Sequence, residues 1–312
     1  MYAKVKGMLE ERRLAALREA DFRNEKVRDE SEEIRAIDEE LTATGLKLFK
    51  AACSGEDIKP IRERNQELVK ARRAALVKLG YPEDYTAPHY TCPDCSDSGF
   101  IGGEKMCHCF REALIKERVA ASGMGRLIET QSFENFDLEW YRDNEKIYEK
   151  MQSNLTVAKK YVKNFGKKCE NLLIMGKTGT GKTHISTAIA REIISRGFDV
   201  IYDSAQNIIS DFETDKFRSG YGQTELRSEK YLECDLLIID DLGTEFISQF
   251  TVACLYNLLN TRQNRGLSTI LSTNLSHEEL QRKYEDRIFS RIVGTGCRIL
   301  VFEGRDRRLH FR

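Results

Sequence analysis

Proline and long apolar runs are scarce in this chain of 312 residues. It contains four prolines, none of them before Pro60, so long helices can form without interruption in the first part. No apolar run approaches the roughly 20 residues that a membrane-spanning helix needs. The N-terminus is charged throughout, unlike a signal peptide. These absences predict a cytoplasmic protein without membrane contact.

An excess of either charge is also lacking, because 50 Lys and Arg residues balance 50 Asp and Glu residues. A nucleic-acid partner would therefore need a local basic surface, since the whole molecule has no net positive field. Hydrophobic residues make up 40% of the chain and charged residues 32%, which is typical of a soluble protein. The length allows two or three domains.

The spacing of apolar residues changes along the chain. Residues 1–88 carry apolar residues at helical spacing among Glu, Lys and Arg, which predicts a helical hairpin or small bundle, or a partner-binding module. From about Glu170, short apolar runs alternate with helical segments, which predicts a parallel sheet covered on both faces. The predicted strands are 171–175, 199–203, 235–240, 267–273 and 297–302. The predicted domains are a helical region 1–88, a cysteine segment 89–112, a linker 113–130 and an α/β domain 131–312.

A phosphate-binding loop follows the first predicted strand. Residues 176–183 fit the pattern G-x-x-x-x-G-K-[ST] between a strand and a helix. Its glycines allow backbone N–H groups to surround a phosphate. Lys182 is predicted to reach the β- and γ-phosphates of ATP, and the Thr183 hydroxyl to bind Mg²⁺. The predicted ATP-binding residues are Gly176, Lys177, Thr178, Gly179, Thr180, Gly181, Lys182 and Thr183.

Polar residues at the ends of two later strands complete the predicted site. Asp240 and Asp241 end the apolar run "LLIIDD"; Asp240 is predicted to hold Mg²⁺ and Asp241 to polarise the attacking water. Glu245 is either a second candidate for the base or a surface loop carboxylate. Asn274, in "LSTNLS", either orients the attacking water or is a turn residue.

Basic residues are concentrated in the C-terminal part. Arg287 and Arg291 are four residues apart, on one face of a predicted helix. An exposed arginine there could reach the nucleotide of a neighbouring subunit and stabilise transition-state charge. Arg308 is a candidate sensor of the γ-phosphate in its own chain.

Four cysteines lie in a short segment around a glycine-rich turn. Cys92, Cys95, Cys107 and Cys109 form two close pairs, the arrangement of a tetrahedral Zn²⁺ site. His108 could replace one of the later cysteines. A redox dithiol is a rival, but its thioredoxin-like βαβ context is absent. Four protein ligands would close the site, which predicts a structural zinc.

Taken together, these residues resemble the AAA+ ATPases, specifically the DnaC/DnaI-type replicative helicase loaders and the IstB-type transposition ATPases. The motifs that carry the resemblance are "SFENFD", "GKTGTGKTH", "DLLIIDDLGTE", "LSTNLS", "DRIFSRIVGTG" and "FEGRDRR". It extends from about residue 130 onward and implies the sheet order 5-1-4-3-2. It also implies that Asn274 is the first sensor, Arg291 the arginine finger and Arg308 the second sensor, with ATP at subunit interfaces of an oligomer.

Two features depart from most AAA+ proteins. Asp241 stands where most of them have Glu, and its shorter side chain predicts slow, switch-like ATP hydrolysis. The sequence ends four residues beyond Arg308, so we predict no C-terminal lid, as in the loaders and IstB-type proteins.

The resemblance to helicase loaders also predicts single-stranded DNA binding. The predicted contacts are Phe212, Lys216, Arg218 and Tyr221, where aromatic residues, including Phe217, alternate with basic ones. Aromatic rings can stack on bases while cations meet phosphates. The alternative is an amphipathic helix followed by a glycine turn.

Three functions compete. In the first, the chain is an ATP-dependent loader of the hexameric replicative helicase onto single-stranded DNA, with residues 1–110 as the adaptor that binds the helicase. A cysteine knuckle between a helical front and an ATPase module resembles the DnaI-like loaders. The second is an IstB-type transposition helper on duplex DNA. The third is a scaffold with a vestigial ATP site, which the intact site residues disfavour.

Overall fold

The computed structural model describes residues 1–54, 57–218, 226–294 and 296–306, without the side chains of Arg218 and Glu285. The chain divides into two compact units, Met1–Ala113 and Leu114–Arg312. Within the described ranges, no helix combines the length and the apolar character that crossing a membrane requires.

The first unit begins with three helices: α1 (Tyr2–Glu30), α2 (Glu32–Ser54) and α3 (Lys59–Lys78). Pro60 lies in the first turn of α3, where a missing N–H costs no helical hydrogen bond. A small apolar cluster joins the helices, with Val27, Ile34 and Leu76 buried. The helical prediction for residues 1–88 therefore agrees with this part of the unit.

A short hairpin follows the helices. Strands β1 (Phe100–Ile101) and β2 (Lys105–Met106) pair antiparallel. Gly102 and Gly103 form the turn with φ of 65° and 84°, a region that L-residues with a side chain rarely adopt. Helix α4 (His108–Ala121) starts directly after Cys107. The hairpin therefore brings the two cysteine pairs to the same place.

The second unit contains a five-stranded sheet with helices on both faces. After α4, its elements in chain order are α5 (Leu127–Thr130), a 3₁₀ turn (Glu139–Tyr141), α6 (Glu145–Asn164), β3 (Asn171–Gly176), α7 (Lys182–Ser195), β4 (Val200–Ser204), α8 (Ala205–Arg218), α9 (Glu229–Glu233), β5 (Leu236–Leu242), α10 (Gln249–Asn264), β6 (Ser268–Thr273), α11 (His277–Ile292) and β7 (Cys297–Phe302). All five predicted strands are present.

The sheet is parallel and its order is β4-β5-β6-β3-β7. Numbered along the chain and counted from the β7 edge, this order is 5-1-4-3-2, which confirms the AAA+ fold that the resemblance implied. Apolar clusters cover both faces of the sheet. The carboxyl ends of β3, β5 and β6 consequently lie side by side, where open α/β sheets bind their ligands.

The predicted linker, residues 113–130, is helical over most of its length. Met124 and Ile128 are buried in the core of the second unit. Arg118 Nε donates to Asp199 Oδ1 at 2.9 Å. From Leu114 onward this segment therefore packs as part of the second unit.

Candidate functional site

The phosphate-binding loop joins β3 to α7 with three glycines in unusual backbone conformations. The φ angles of Gly176, Gly179 and Gly181 are 155°, 76° and 97°. A Cβ atom on Gly176 would lie 2.2 Å from the carbonyl oxygen of Phe302. Tyr141 supports the loop from behind, since its hydroxyl donates to Thr180 O at 2.8 Å. The glycines therefore allow both the turn and its close packing.

Lys182 lies inside this loop and is only 6% exposed. Its ammonium group donates to the carbonyl oxygens of Gly176 and Lys177 at 2.7 and 2.9 Å. It also donates to Asn274 Oδ1 at 2.7 Å. The predicted first sensor and the predicted phosphate-binding lysine are thus in direct contact.

Two aspartates at the end of β5 face the loop. Thr183 Oγ1 is 3.4 Å from Asp240 Oδ2, and the hydroxyl of Tyr202 donates to the same oxygen. Burial, and then the Asp240 charge, raise the pKa of Tyr202. Asp241 is exposed, and its Oδ1 is 3.4 Å from Asn274 Nδ2. Its φ of 51° is in the left-handed region, and the pairing of β5 with β6 shifts register at this point, between Ile239 and Leu242.

These side chains line a cavity of about 580 Å³, within the range of small-molecule sites. The lining residues are Leu127, Gln131, Thr178, Gly179, Gly181, Lys182, Thr183, His184, Tyr202, Asp240, Asp241 and Asn274. The donors fit Mg²⁺, since hydroxyl and carboxylate oxygens are its preferred protein ligands. The cavity therefore combines a phosphate loop with a set of hard oxygen ligands.

Glu245, the second candidate for the base, does not line this cavity. It is 2% exposed and accepts hydrogen bonds from the Gly243 N–H at 2.9 Å and from the Tyr284 hydroxyl. Burial, and then the Glu245 charge, raise the pKa of Tyr284. The prediction of a surface carboxylate was wrong, because Glu245 is buried and ties α11 to the loop after β5.

Arg291 is half-buried on α11 and does not line the cavity that contains Lys182 and Asp240. It donates to the Tyr256 hydroxyl at 2.8 Å and to Asn260 Oδ1 at 3.2 Å. Its guanidinium carbon lies 4.2 Å from the centre of the Tyr256 ring. The finger role of Arg291 stays a prediction, and Arg308 lies outside the described residues.

The predicted DNA contacts fall on α8 and beyond it. Phe212 is half-buried and packs against the core, where it stacks on Tyr231 with ring centres 6.4 Å apart. Lys216 is exposed, with its ammonium 4.9 Å from the Phe250 ring centre. Phe217 is 79% exposed. Helix α8 ends at Arg218, whose side chain, like Tyr221, lies outside the described residues.

The four cysteines of the first unit form a compact group. Their sulfur atoms all lie within 4.8 Å of one another, with 3.7 Å between Cys92 and Cys107 and 3.4 Å between Cys95 and Cys109. Burial, and then the neighbouring Cys95 sulfur, raise the pKa of the Cys109 thiol. This sulfur set fits tetrahedral Zn²⁺ and could hold it.

His108 belongs to a second group of possible ligands. Its Nδ1 is 3.5 Å from Cys107 Sγ and 3.4 Å from Asp94 Oδ2. Only Cys107 is common to both groups. The four sulfur atoms supply a complete tetrahedral set without the histidine.

Two site residues carried no sequence signal. Tyr202 comes from the middle of β4 and Gln131 from the segment after α5, and neither belongs to a nucleotide-binding motif. The side-chain oxygen of Gln131 is buried without a hydrogen-bond partner in the described part of the chain. Only the packing of these segments beside α7 and β5 brings both residues to the cavity.

Comparisons with known proteins agree with this geometry. Residues 112–301 match the family model described as IstB-like ATP binding protein. The replicative helicase loader DnaC of Escherichia coli strain K12 is 28% identical over 171 residues, which cover 55% of this chain and 66% of DnaC. DnaC of Buchnera aphidicola subsp. Baizongia pistaciae is 25% identical over 197 residues, or 63% of this chain and 76% of that protein.

Solved structures with similar folds include a DnaC helicase loader and a DnaI. The first has a TM-score of 0.44 and 24% identity, and covers 49% of this chain and 90% of the other. The second has a TM-score of 0.45 and 23% identity, with 60% and 95% covered. Because the family match spans more than half of the sequence and includes the phosphate loop, the chain belongs to the IstB-like ATP-binding family.

Proposed function

We propose that this chain is an ATP-dependent loader that places a replicative DNA helicase on single-stranded DNA. The observation that carries the proposal is the cavity where Lys182, Thr183, Asp240 and Asn274 meet. It belongs to a chain whose sequence resembles replicative helicase loaders. A switch that depends on nucleotide is what a loader needs to hold a ring and then release it.

The residues of the cavity can be given roles in slow ATP hydrolysis. Thr183 Oγ1 and Asp240 Oδ2 would hold Mg²⁺, which supplies positive charge to the phosphate oxygens when bound. Lys182 would exchange its carbonyl partners for the β- and γ-phosphates. Asp241 and Asn274 would orient the attacking water, with Asp241 accepting its proton.

Single-stranded DNA would meet the second unit near the end of α8. Lys216 is exposed, and the rings of Phe217 and Phe246 are 79% and 84% exposed. Exposed rings can stack on bases of any sequence, and a nearby cation can meet the phosphates. This proposal places Phe217 and Phe246 before Phe212 as stacking residues, because their rings are more exposed than the half-buried ring of Phe212.

The first unit would bind the helicase. Helices α1 and α2 expose large apolar side chains, among them Phe22, Leu46 and Phe49, which are 68%, 61% and 70% exposed. Apolar side chains on a charged helical surface are suited to a protein partner. A structural Zn²⁺ on the four cysteines would hold the hairpin of this unit in one conformation.

A transposition helper is the second candidate, and the description of the matching family favours it. Such a protein would bind duplex DNA and recruit a transposase. The two candidates differ in the nucleic acid and in the protein that they hold. One loading experiment and one capture experiment can therefore separate them.

The loading experiment uses the full chain, the hexameric replicative helicase of its host and circular single-stranded DNA. A circle has no end to thread, so helicase retained on it after a salt wash has been loaded through an opened ring. We expect retention with the wild-type chain and ATP, and loss of retention with Lys182→Ala.

The capture experiment offers the full chain both a helicase and a transposase of the host. Binding of the helicase together with loading on circles supports the first candidate. Capture of the transposase on duplex DNA, without loading, supports the second and contradicts the first. A Phe49→Ser variant that loses the helicase but still binds ATP would assign the contact to α2.

A further inference from the structure

Asp240 is held by groups from three different elements. Its Oδ1 accepts the N–H of Asp241 at 3.0 Å. Its Oδ2 accepts the Tyr202 hydroxyl and lies 3.4 Å from Thr183 Oγ1. Oδ1 is thus hydrogen-bonded to the backbone. Oδ2 lies between the hydroxyl groups of Tyr202 and Thr183 at the wall of the cavity.

Backbone contacts on both sides of β4 fix the position of Tyr202. Strand β4 is the edge of the sheet, and Tyr202 pairs in register with Ile238 on β5. On its open side, the Tyr202 N–H donates to Ser122 O at 2.7 Å. Gly123 packs so closely that a Cβ there would lie 2.5 Å from the Tyr202 carbonyl oxygen. The phenol is therefore presented to Asp240 from a strand that is fixed on both sides.

A hydrogen bond of this kind has a defined chemical effect on a metal ligand. A donor that holds one oxygen of a carboxylate restricts its rotation and the direction of its free lone pairs. Tyr202 also lines the same cavity as Thr183 and Asp240. In that place its hydroxyl can orient the carboxylate before any metal arrives.

We propose that Tyr202 is a positioning residue for Mg²⁺ binding. Its phenol hydroxyl sets the orientation of the Asp240 carboxylate, which receives the ion. This inference rests on the proposed ATP function of the cavity. The proposal assigns part of the Mg²⁺ affinity to a residue of β4, which belongs neither to the phosphate-binding loop nor to β5, the strand that carries Asp240. Loss of the hydroxyl should therefore weaken the response to Mg²⁺ more than the binding of the nucleotide itself.

The test compares the full wild-type chain with Tyr202→Phe, which removes only the hydroxyl. A fluorescent, non-hydrolysable ATP analogue is titrated first with EDTA present and then at increasing Mg²⁺. We expect the Mg²⁺ concentration for half-maximal binding to rise about tenfold or more, with unchanged affinity in EDTA. Direct binding of Mn²⁺ to the protein–nucleotide complex, followed by electron paramagnetic resonance, should weaken by a similar factor.

Tyr231→Phe is the matched control, because the Tyr231 hydroxyl also contacts carboxylates, Asp203 and Asp211, at 2.8 and 2.7 Å. Tyr231 does not line the cavity. The Mg²⁺ requirement of the Tyr231→Phe variant should therefore equal that of the wild type. An unchanged Mg²⁺ requirement in Tyr202→Phe, or equal losses with and without Mg²⁺, would overturn the role. A wild-type chain that binds no nucleotide at all would instead defeat the proposed function.

Discussion

Lys182 and Arg262 are both buried cations of the second unit, and their surroundings differ in kind. Lys182 borders a cavity and is held by loop carbonyls and Asn274. Arg262, on α10, is 0% exposed and donates to backbone carbonyls at the end of α9 and the start of β6. Burial lowers the pKa of Arg262. Lys182 therefore faces a possible ligand site, whereas Arg262 supplies hydrogen bonds to buried backbone carbonyls that water cannot reach.

We expect Lys182→Ala to weaken ATP binding at least about a hundredfold. Charge-assisted hydrogen bonds to phosphate contribute about 1.5–3 kcal/mol each, and the variant loses more than one. Lys168→Ala is the control, because Lys168 is exposed and does not line the cavity. Equilibrium titration with a fluorescent nucleotide measures both. Equal affinities in Lys182→Ala and the wild type would contradict the assignment of the phosphate loop.

Arg262→Met should lower the free energy of unfolding of the second unit by about 3 kcal/mol. Its guanidinium donates to Ser268 O at 2.6 Å, Tyr231 O at 2.8 Å and Cys234 O at 2.9 Å. The variant leaves these buried carbonyls without that donor. Denaturant unfolding followed by the fluorescence of Trp140, the single tryptophan, reports on this unit.

The control for Arg262→Met is Arg265→Met, three residues later on the exposed end of α10. Arg265 donates to Leu232 O at 3.2 Å, where water can replace the bond. Its loss should change the unfolding free energy by less than about 0.5 kcal/mol. Equal effects of the two substitutions would show that burial of Arg262 is not what stabilises the unit.

At the scale of elements, the β1–β2 hairpin and the start of α4 assemble a group of sulfur atoms. The hairpin is too short to have an apolar core of its own. Asp97 accepts the backbone N–H groups of Thr91 and Cys92 at 2.8 and 2.9 Å, which fixes the first cysteine pair. A bound metal would add cross-links that these few contacts do not provide.

Purified protein is therefore expected to contain about one zinc per chain, measured by elemental analysis. Cys95→Ser should lose most of the metal and unfold the hairpin, which limited proteolysis would detect. Cys53→Ser is the control, since Cys53 is exposed and outside the group. A metal-free preparation with an intact hairpin would contradict the zinc assignment.

At the scale of the whole molecule, the phosphate cavity lacks an arginine of its own chain among the described residues that line it. Arg291 is instead held on α11 by Tyr256 and Asn260. In an assembly where α11 of one subunit faces the cavity of the next, Arg291 of the first subunit would supply an arginine to that cavity. This is the arrangement that the AAA+ resemblance implied.

We expect Arg291→Ala to bind ATP within about twofold of the wild type and to lose hydrolysis by a large factor, about a thousandfold for a finger of this kind. Arg282→Ala, on the same helix and exposed, should hydrolyse ATP normally. A mixture of Lys182→Ala and Arg291→Ala chains should regain part of the activity, because some interfaces then combine an intact loop with an intact arginine. No recovery in the mixture would contradict a role between subunits.

The sheet order was implied by the resemblance to AAA+ ATPases. The sequence by itself determined the five strands, the phosphate loop and the meeting of Lys182, Thr183, Asp240 and Asn274. These follow from local patterns, because the carboxyl ends of neighbouring parallel strands must share one edge of the sheet. The cysteine group was predictable for a similar reason, since its members are close in sequence on either side of a glycine turn.

The tertiary structure alone decided the roles of residues without a motif. It buried Glu245 beside Tyr284 and packed Phe212 against Tyr231, although both had been assigned to the surface or the site. It also brought Tyr202 on β4 to Asp240 on the neighbouring strand β5. Such contacts join segments far apart in the sequence, and their partners depend on how the helices pack on the sheet, which no local pattern encodes.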